Sequence, residues 1–204
     1  MIDAKRCTEQ HVLRWACASG LALLLTLGGC KGGGGDSGNS VTPCTGIAFT
    51  QLLQSPAAGD VYLHVTNTTC TSMDVGVFVT NLSGIFTVGF ELTYPASVIQ
   101  YQSYGAGPLL NKDNPLTPAQ FFVSTPGSGI LLVSATRFRP DPSVSAVGSE
   151  MLITLHFLKL ASGAGVMDFD TSSSSLVSDQ IIDDTGTVVP ASFGPGHGGN
   201  VLVP

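Results

Sequence analysis

Charged side chains are scarce in this sequence. They make up only 11% of the 204 residues, whereas hydrophobic residues make up 43%. Soluble proteins usually carry about a quarter charged residues, so this composition favours an extracytoplasmic β protein over a cytosolic enzyme. The net charge of −6 offers no basic surface. Nucleic acid is therefore not an expected partner.

The common sequence motifs of enzymes are also missing. The chain has no G-x-S-x-G, H-E-x-x-H or P-loop motif. His64 and His156 fall on the more polar faces of predicted strands, which favours histidines that face solvent or an interface. His197 stands in a glycine-rich tail, where a metal role has little support. We therefore expect a protein that is not an enzyme and has no cofactor.

A run of apolar residues long enough to span a membrane is absent near the N-terminus. The uncharged residues 15–29 form a stretch of about 15, short of the roughly 20 that a membrane helix needs. Lys5, Arg6 and Arg14 precede it. A basic segment before a short apolar one is typical of a helical export signal peptide.

This signal ends in Leu27-Gly28-Gly29-Cys30, which resembles the bacterial lipobox at every position. The resemblance implies cleavage before Cys30 and attachment of diacylglycerol to its sulfur. The alternative is an ordinary signal peptide with an incidental cysteine. Lys31, rather than Asp, follows the cysteine, which favours the outer membrane if the cell is Gram-negative. We thus expect an exported protein with a lipid anchor in the cell envelope.

The composition changes again after the cysteine. Residues 31–40, KGGGGDSGNS, are typical of a flexible tether. We predict three parts: a signal peptide at residues 1–29, the lipidated cysteine and tether at 30–43, and one folded domain at 44–204.

Five cysteines occur in the chain. Cys7 and Cys17 leave with the signal peptide and Cys30 carries lipid, so Cys44 and Cys70 remain. An even pair in an oxidising compartment predicts a disulfide bond. Two free thiols are the alternative, and a zinc site is disfavoured because the pair lacks further ligands at suitable spacing.

The folded domain shows the alternation of β-strands. In residues 85–94, Phe86, Val88, Phe90, Leu92 and Tyr94 share one face, and Thr87, Gly89, Glu91 and Thr93 share the other. Such alternation predicts a half-buried strand. Further strands are predicted at residues 61–66, 73–80, 97–103, 119–125, 129–136 and 151–160, with weaker ones at 165–170, 175–179 and 187–192. Many short strands separated by turns indicate an antiparallel sandwich.

Three segments together resemble the cohesin family. They are residues 75–110, with the corner LTYPASVI, residues 129–165, and residues 174–189, with a D-x-x-G turn. The corner lacks the Asp that family members carry. The resemblance covers about residues 58–192 and implies an all-β fold, a nine-stranded antiparallel jelly-roll sandwich. It also implies a non-catalytic module that binds dockerin modules of polysaccharide-degrading enzymes.

Two other functions stay open at this stage. A carbohydrate-binding module of the same fold would stack polysaccharide on exposed aromatic rings. The only tryptophan, Trp15, lies in the predicted signal peptide, which leaves Tyr62, Tyr101 and Tyr104 as substitutes. A structural role in a cell-surface assembly is the other alternative. A linear row of exposed rings would favour sugar, and an aromatic-poor face with scattered polar groups would favour protein.

Two groups of residues are candidate sites. Arg137, Phe138 and Arg139 bring two basic groups and a ring to one loop, and exposed Arg and aromatic side chains are common anchors at interfaces. The alternative is a solvated loop stiffened by prolines. The aspartates 168, 170, 179, 183 and 184 could contribute oxygens to Ca²⁺, although no EF-hand pattern is present. A plain turn is the simpler interpretation of the DDTG segment, and no metal site is predicted.

Overall fold

The computed structural model describes residues 45–113, 115–172 and 174–204. These residues form β-strands joined by turns and loops, with one 3-10 helix at Leu109–Asn111 and no α-helix among them. The twelve strands are β1 Ala48–Gln51, β2 Val61–Thr68, β3 Ser72–Thr80, β4 Thr87–Thr93, β5 Ile99–Ala106, β6 Gln120–Gly127, β7 Ile130–Thr136, β8 Ser149–Lys159, β9 Gly163–Phe169, β10 Gln180–Ile182, β11 Val188–Val189 and β12 Gly199–Val203.

The smaller sheet has four antiparallel strands in the order β2-β3-β8-β5. Its two inner strands are β3 and β8, and Val77 of β3 lies between Leu63 of β2 and Ile153 of β8. Met73, Val75, Val77 and Val79 are each 1% exposed or less. This predicted apolar face of β3 therefore points into the protein.

The larger sheet has eight strands and divides along one edge of β4. On one side, β4 pairs along its whole length with β7, which pairs with β6. On the other side, β9 pairs with β4 near Thr93 and β10 pairs with it near Thr87. Strand β9 continues the sheet through β12 to β1, and β10 pairs with β11. One edge of β4 is therefore shared by two strands, β9 near Thr93 and β10 near Thr87.

The core lies between the two sheets. Phe90 of β4 contacts Phe169 of β9 edge to face, with ring centres 5.4 Å apart, and Phe193 contacts Phe169 in the same way at 5.5 Å. Phe157 of β8 enters from the opposite sheet and is fully buried. Burial of these rings supplies hydrophobic stabilisation that the two sheets share.

The predicted class is confirmed, since the structure is nearly all β in two antiparallel sheets. The described residues contain twelve strands rather than nine, because short strands flank the long ones. The strand predicted at 175–179 is wrong. These residues lie in a loop, and β10 begins at Gln180. Strands β1 and β12 were not predicted individually, since β1 is short and β12 follows a glycine-rich segment.

Predictions for the N-terminal segment fall outside the described residues. The signal peptide, the lipid attachment at Cys30, the tether and the domain boundaries at 29 and 43 therefore stay predictions. Within the part of the chain that the structure describes, no helix is long and apolar enough to cross a bilayer.

Candidate functional site on the larger sheet

The outer surface of β6, β7 and β4 is an open, mostly polar face. Phe122 of β6, Ser134 of β7 and Gly89 of β4 lie side by side across it. Residues directly opposite each other in antiparallel strands point to the same side of a sheet. The neighbouring residues Phe121, Ala135 and Val88 point inward. We call the row Phe122–Ser134–Gly89 and its outward neighbours Gln120, Thr136 and Thr87 the β6–β7–β4 face.

Phe122 is the large apolar side chain of this face. It is 64% exposed. It borders a hollow of about 360 Å³ lined by Gln120, Phe121, Ser134 and Thr136 as well. An exposed aromatic ring beside a hollow is a typical anchor for a partner, because its burial removes much apolar area from water.

Gly89 leaves the β4 end of this row without a side chain. A Cβ placed on it would meet no atom within 4 Å, so no packing constraint requires glycine there. The hydroxyl groups of Thr87 and Thr136 are hydrogen-bonded to each other at 2.8 Å. The face therefore combines one exposed ring with a flat area of small or polar residues. We call this area, formed by Gly89, Ser134, Thr87 and Thr136, the Gly89 shelf.

Further along β4, the expected exposed face is covered. Glu91 was predicted to face outward as part of a polar face, yet it is only 2% exposed. The loop between β9 and β10 lies over it, and we call its described residues, 170–172 and 174–179, the 170–179 loop. Glu91 Oε2 accepts hydrogen bonds from the Leu176 backbone N–H at 2.6 Å and from the Ser175 hydroxyl at 3.1 Å. The prediction of a half-buried strand is therefore wrong at this residue.

A second carboxyl group of the same loop contacts β4. Asp179 Oδ1 accepts a 2.8 Å hydrogen bond from the Glu91 backbone N–H, while Oδ2 is sealed from solvent without a partner. Burial is the largest cause that raises the pKa of Asp179 from 3.8 to about 6. The charges of Glu91 and Asp170 act in the same direction, and the Glu91 N–H opposes them. A cavity of about 420 Å³ lies beside this group.

The five aspartates considered for calcium do not form one cluster, although Asp170 and Asp179 line the same cavity. Asp168 accepts hydrogen bonds from the backbone N–H groups of Phe169 and Gly196, and Asp170 from that of Ser172. Asp183 accepts from two backbone N–H groups and one hydroxyl within its own turn, while Asp184 bonds Ser143. Among the described residues, no group of three or more His, Cys, Asp or Glu is placed to hold a metal ion.

The predicted partner-binding loop is only partly on the surface. Arg137 is 3% exposed and donates hydrogen bonds to the Leu110 and Lys112 carbonyls, so its prediction as a surface anchor is wrong. Buried backbone carbonyls need donors, and this guanidinium supplies them. Phe138 is half-buried, whereas Arg139 is exposed and donates to the Asp184 carbonyl. Partner binding by these two residues stays a prediction.

The three histidines among the described residues have local structural contacts. His64 is exposed, and its Nδ1 lies 2.7 Å from Gln51 Oε1. His156 is half-buried and pairs with Asp74 on the next strand. His197 Nδ1 lies 2.9 Å from the Val61 carbonyl, which ties the glycine-rich tail to β2.

The tyrosines do not form a linear row. Tyr62 is 7% exposed and stacks on Phe78, whereas Tyr101 packs edge-on against the buried Phe157. Tyr104 is 42% exposed, but its hydroxyl is hydrogen-bonded to the Phe121 carbonyl. No flat strip of exposed rings is therefore present in the described part of the chain.

The predicted disulfide can be placed only at one end. Cys70 lies in the turn between β2 and β3, and Cys44 is outside the described residues. A Cβ on Gly46 would lie 2.7 Å from the Thr69 carbonyl oxygen and 3.9 Å from the Cys70 nitrogen. The chain shortly after Cys44 thus runs directly beside Cys70. The pairing stays a prediction.

Comparisons with known proteins agree on the architecture. The structure is similar to a type II cohesin domain from the cellulosome of Acetivibrio cellulolyticus, with a TM-score of 0.53, 15% identity, 72% of this chain and 96% of that one covered. The chain has the cohesin fold. A second similar structure is the cohesin in a type II cohesin–X–dockerin complex from the same organism, with a TM-score of 0.50, 12% identity and coverages of 66% and 92%.

A third cohesin, the second type II module of an adaptor scaffoldin of Acetivibrio cellulolyticus, has a TM-score of 0.51 and 12% identity, with coverages of 67% and 90%. No family model matches this sequence, and no curated protein matches it. The cohesin fold is thus shared at an identity that shows architecture alone.

Sequence reasoning missed the β6–β7–β4 face. The signal for Phe122 was available, because it lies between two apolar residues of a predicted strand. If Phe121 and Val123 point inward, Phe122 points outward. The cover over Glu91 had no such signal, since it depends on a contact between residues more than 80 positions apart.

Proposed function

We propose that this protein is a non-catalytic binding module that recruits a protein partner of the dockerin type to the cell surface. The cohesin fold supports the module type, and the exposed Phe122 beside the bare Gly89 shelf supports the docking surface. In one structure of similar fold, the cohesin is in a complex with an X-dockerin partner. The proposal carries that mode of partnership to this chain.

Protein is favoured over polysaccharide by the pattern of rings. A single exposed ring, Phe122, stands on the β6–β7–β4 face among small and hydroxyl side chains. Protein interfaces concentrate binding energy in a few aromatic anchors surrounded by weaker contacts. Sugar chains need several rings in a row, whereas Tyr62 is buried, Tyr101 is half-buried against Phe157 and Tyr104 bonds the Phe121 carbonyl. A link to polysaccharide degradation would then come through the partner.

The docking surface can be tested by a pull-down with three baits. The baits are the full chain, Phe122→Ser, and Leu202→Ser, a matched control because Leu202 is 53% exposed on β12. We expect the first and third baits to retain the same protein from an extract of the native cells. The Phe122→Ser bait should bind it at least about tenfold more weakly, which is typical of losing one anchor.

A second pair of variants tests the shelf without removing a ring. Gly89→Gln would place a side chain on the proposed docking surface, whereas Gly105→Gln would place one on β5, where a Cβ also meets nothing within 4 Å. Only Gly89→Gln should weaken the complex. Equal retention by every bait would reject this surface, and retention of polysaccharide without protein would reject the proposed function.

We also propose that the module is exported and held in the envelope by lipid on Cys30, with the outer membrane favoured in a Gram-negative cell. The lipobox residues Leu27–Cys30 and Lys31 support this. Two or more acyl chains are enough to anchor a soluble domain stably. In cells fed labelled palmitate, Cys30→Ala should abolish labelling, while Cys17→Ala should leave it at the wild-type level. Undiminished labelling of Cys30→Ala would refute the anchor.

A further inference from the structure

Among the described residues, the hydrogen bonds between the 170–179 loop and the rest of the protein all involve Glu91. The Asp170 N–H donates to the Glu91 carbonyl at 3.0 Å, and the Glu91 N–H donates to Asp179. The Glu91 carboxylate accepts from Ser175 and Leu176. The other hydrogen bonds of the described loop residues are internal to the loop, such as Ser175 Oγ to the Val177 carbonyl. Its closed position therefore depends on groups around Glu91.

The ionisable side chains that surround the Asp179 carboxyl are all acidic. Glu91 of β4 and Asp170 at the end of β9 face the Asp179 carboxyl. The remaining neighbours have no charge: Gln180 starts β10, and Ala191 and Phe193 line the cavity from the segment before β12. No basic side chain is among the residues that line this cavity. A proton on Asp179 would therefore relieve both its desolvation and its repulsion from the other two carboxylates.

We propose that the 170–179 loop is a pH-sensitive latch, closed over Glu91 while the Asp179 carboxyl holds a proton and loosened when that proton leaves. The cavity beside Asp179 opens with the latch. The latch also borders the shelf of the β6–β7–β4 face, because Gln180 pairs directly with Gly89. This inference concerns the loop itself and does not depend on the proposed partner.

The direction of the pH effect follows from proton linkage. The pKa of Asp179 is higher in the closed loop, about 6, than its ordinary value of 3.8, so closing takes up a proton. The closed state has its full advantage below the lower value and loses it as the pH rises through the higher one. A rise of the pKa from 3.8 to about 6 would correspond to a change of about 100-fold in the equilibrium between the closed and the open loop. Because Asp179 is partly accessible to solvent, we expect about tenfold.

Amide hydrogen exchange in the full chain, followed by NMR, tests the latch. The probes are the Leu176 amide, bonded to Glu91, and the Glu91 amide, bonded to Asp179. From about pH 4.5 to about pH 7.5, we expect their protection factors, corrected for intrinsic exchange, to fall about tenfold. The control is the Thr187 amide, bonded to Asp183 Oδ1, because hydrogen bonds with Thr185 lower the pKa of Asp183 and keep it ionised.

The variant Asp179→Asn identifies the responsible group. Its amide oxygen can still accept the Glu91 hydrogen bond but cannot titrate, so its protection factors should stay level across the same range. A level profile in the wild-type protein, or an unchanged fall in the variant, would overturn the proposal. If the variant does not fold, a pH titration of the wild-type chain decides, in which NMR follows the chemical shift of the Asp179 side-chain carboxyl carbon. A midpoint near 6 supports the latch, and one near the ordinary value rejects it.

Discussion

The guanidinium of Arg137 donates a 2.5 Å hydrogen bond from Nη1 to the backbone carbonyl of Leu110. The same nitrogen lies 3.3 Å from the Lys112 carbonyl oxygen. Arg137 directly follows β7, and Leu110 lies in the 3-10 helix between β5 and β6. Both residues are buried. This contact therefore joins a long connection to the end of a central strand, inside the protein.

Arg137→Ala should destabilise the protein strongly. The change removes the donor for two carbonyls at the Leu110–Lys112 turn and leaves a cavity where the guanidinium was. Unpaired buried polar groups and lost packing together predict a decrease of about 2–4 kcal/mol in the free energy of unfolding. Urea denaturation followed by circular dichroism measures this decrease.

Arg139→Ala is the matched control for this change. Arg139 is two residues away, exposed, and bonded to the Asp184 carbonyl. We expect its unfolding free energy to stay within about 1 kcal/mol of the wild-type value, as for other exposed polar contacts. Equal losses in the two variants would contradict the buried role of Arg137.

The sequence could predict strand faces wherever apolar and polar residues alternate. Val75, Val77 and Val79 were placed on one face of β3, and all three are fully buried. Phe90 and Leu92 were placed together on β4, and both are buried as well. Alternation reports which side of a strand meets the core, because successive side chains point to opposite faces.

Alternation could not predict what covers the other side. Glu91 and Arg137 are polar, and residue type alone favours exposure for both. Their burial depends on distant segments, the 170–179 loop over Glu91 and the 3-10 helix beside Arg137. The β6–β7–β4 face was missed for a related reason, because it is assembled from strands whose neighbours are not adjacent in sequence.

Two glycines should respond in opposite ways to alanine. A Cβ on Gly198 would lie 1.9 Å from the Met167 carbonyl oxygen, and this backbone atom cannot move aside cheaply. Gly198→Ala should therefore cost about 3 kcal/mol or more in unfolding free energy. Gly105→Ala, where a Cβ meets nothing within 4 Å, should gain about 0.5 kcal/mol by restricting the unfolded chain. Thermal denaturation compares the two, and similar midpoints would contradict this steric account.

A disulfide between Cys44 and Cys70 should stabilise the oxidised protein. It would close a loop of about 25 residues, for which chain entropy predicts about 3–4 kcal/mol. The close approach of Gly46 to the Thr69–Cys70 peptide supports the geometry. We expect the Cys44→Ser, Cys70→Ser double variant to lose that amount in urea denaturation. Rapid labelling of both cysteines by a thiol reagent in the native oxidised protein would contradict the pairing.

Glu91→Ala should release the 170–179 loop without unfolding the sandwich. The change removes the acceptor for Ser175 and for the Leu176 N–H, so the loop loses two of its attachments to β4. Leu176 is 60% exposed and is a chymotrypsin site, so cleavage after it reports how often the loop opens. We expect cleavage at least about tenfold faster than in the wild type, as for a loss of about 1.4 kcal/mol in loop closure. Thr93→Ala is the control, because Thr93 lies on the outward side of β4 but bonds the Asp168 carbonyl. Cleavage at equal rates in all three proteins would show that Glu91 does not hold the loop.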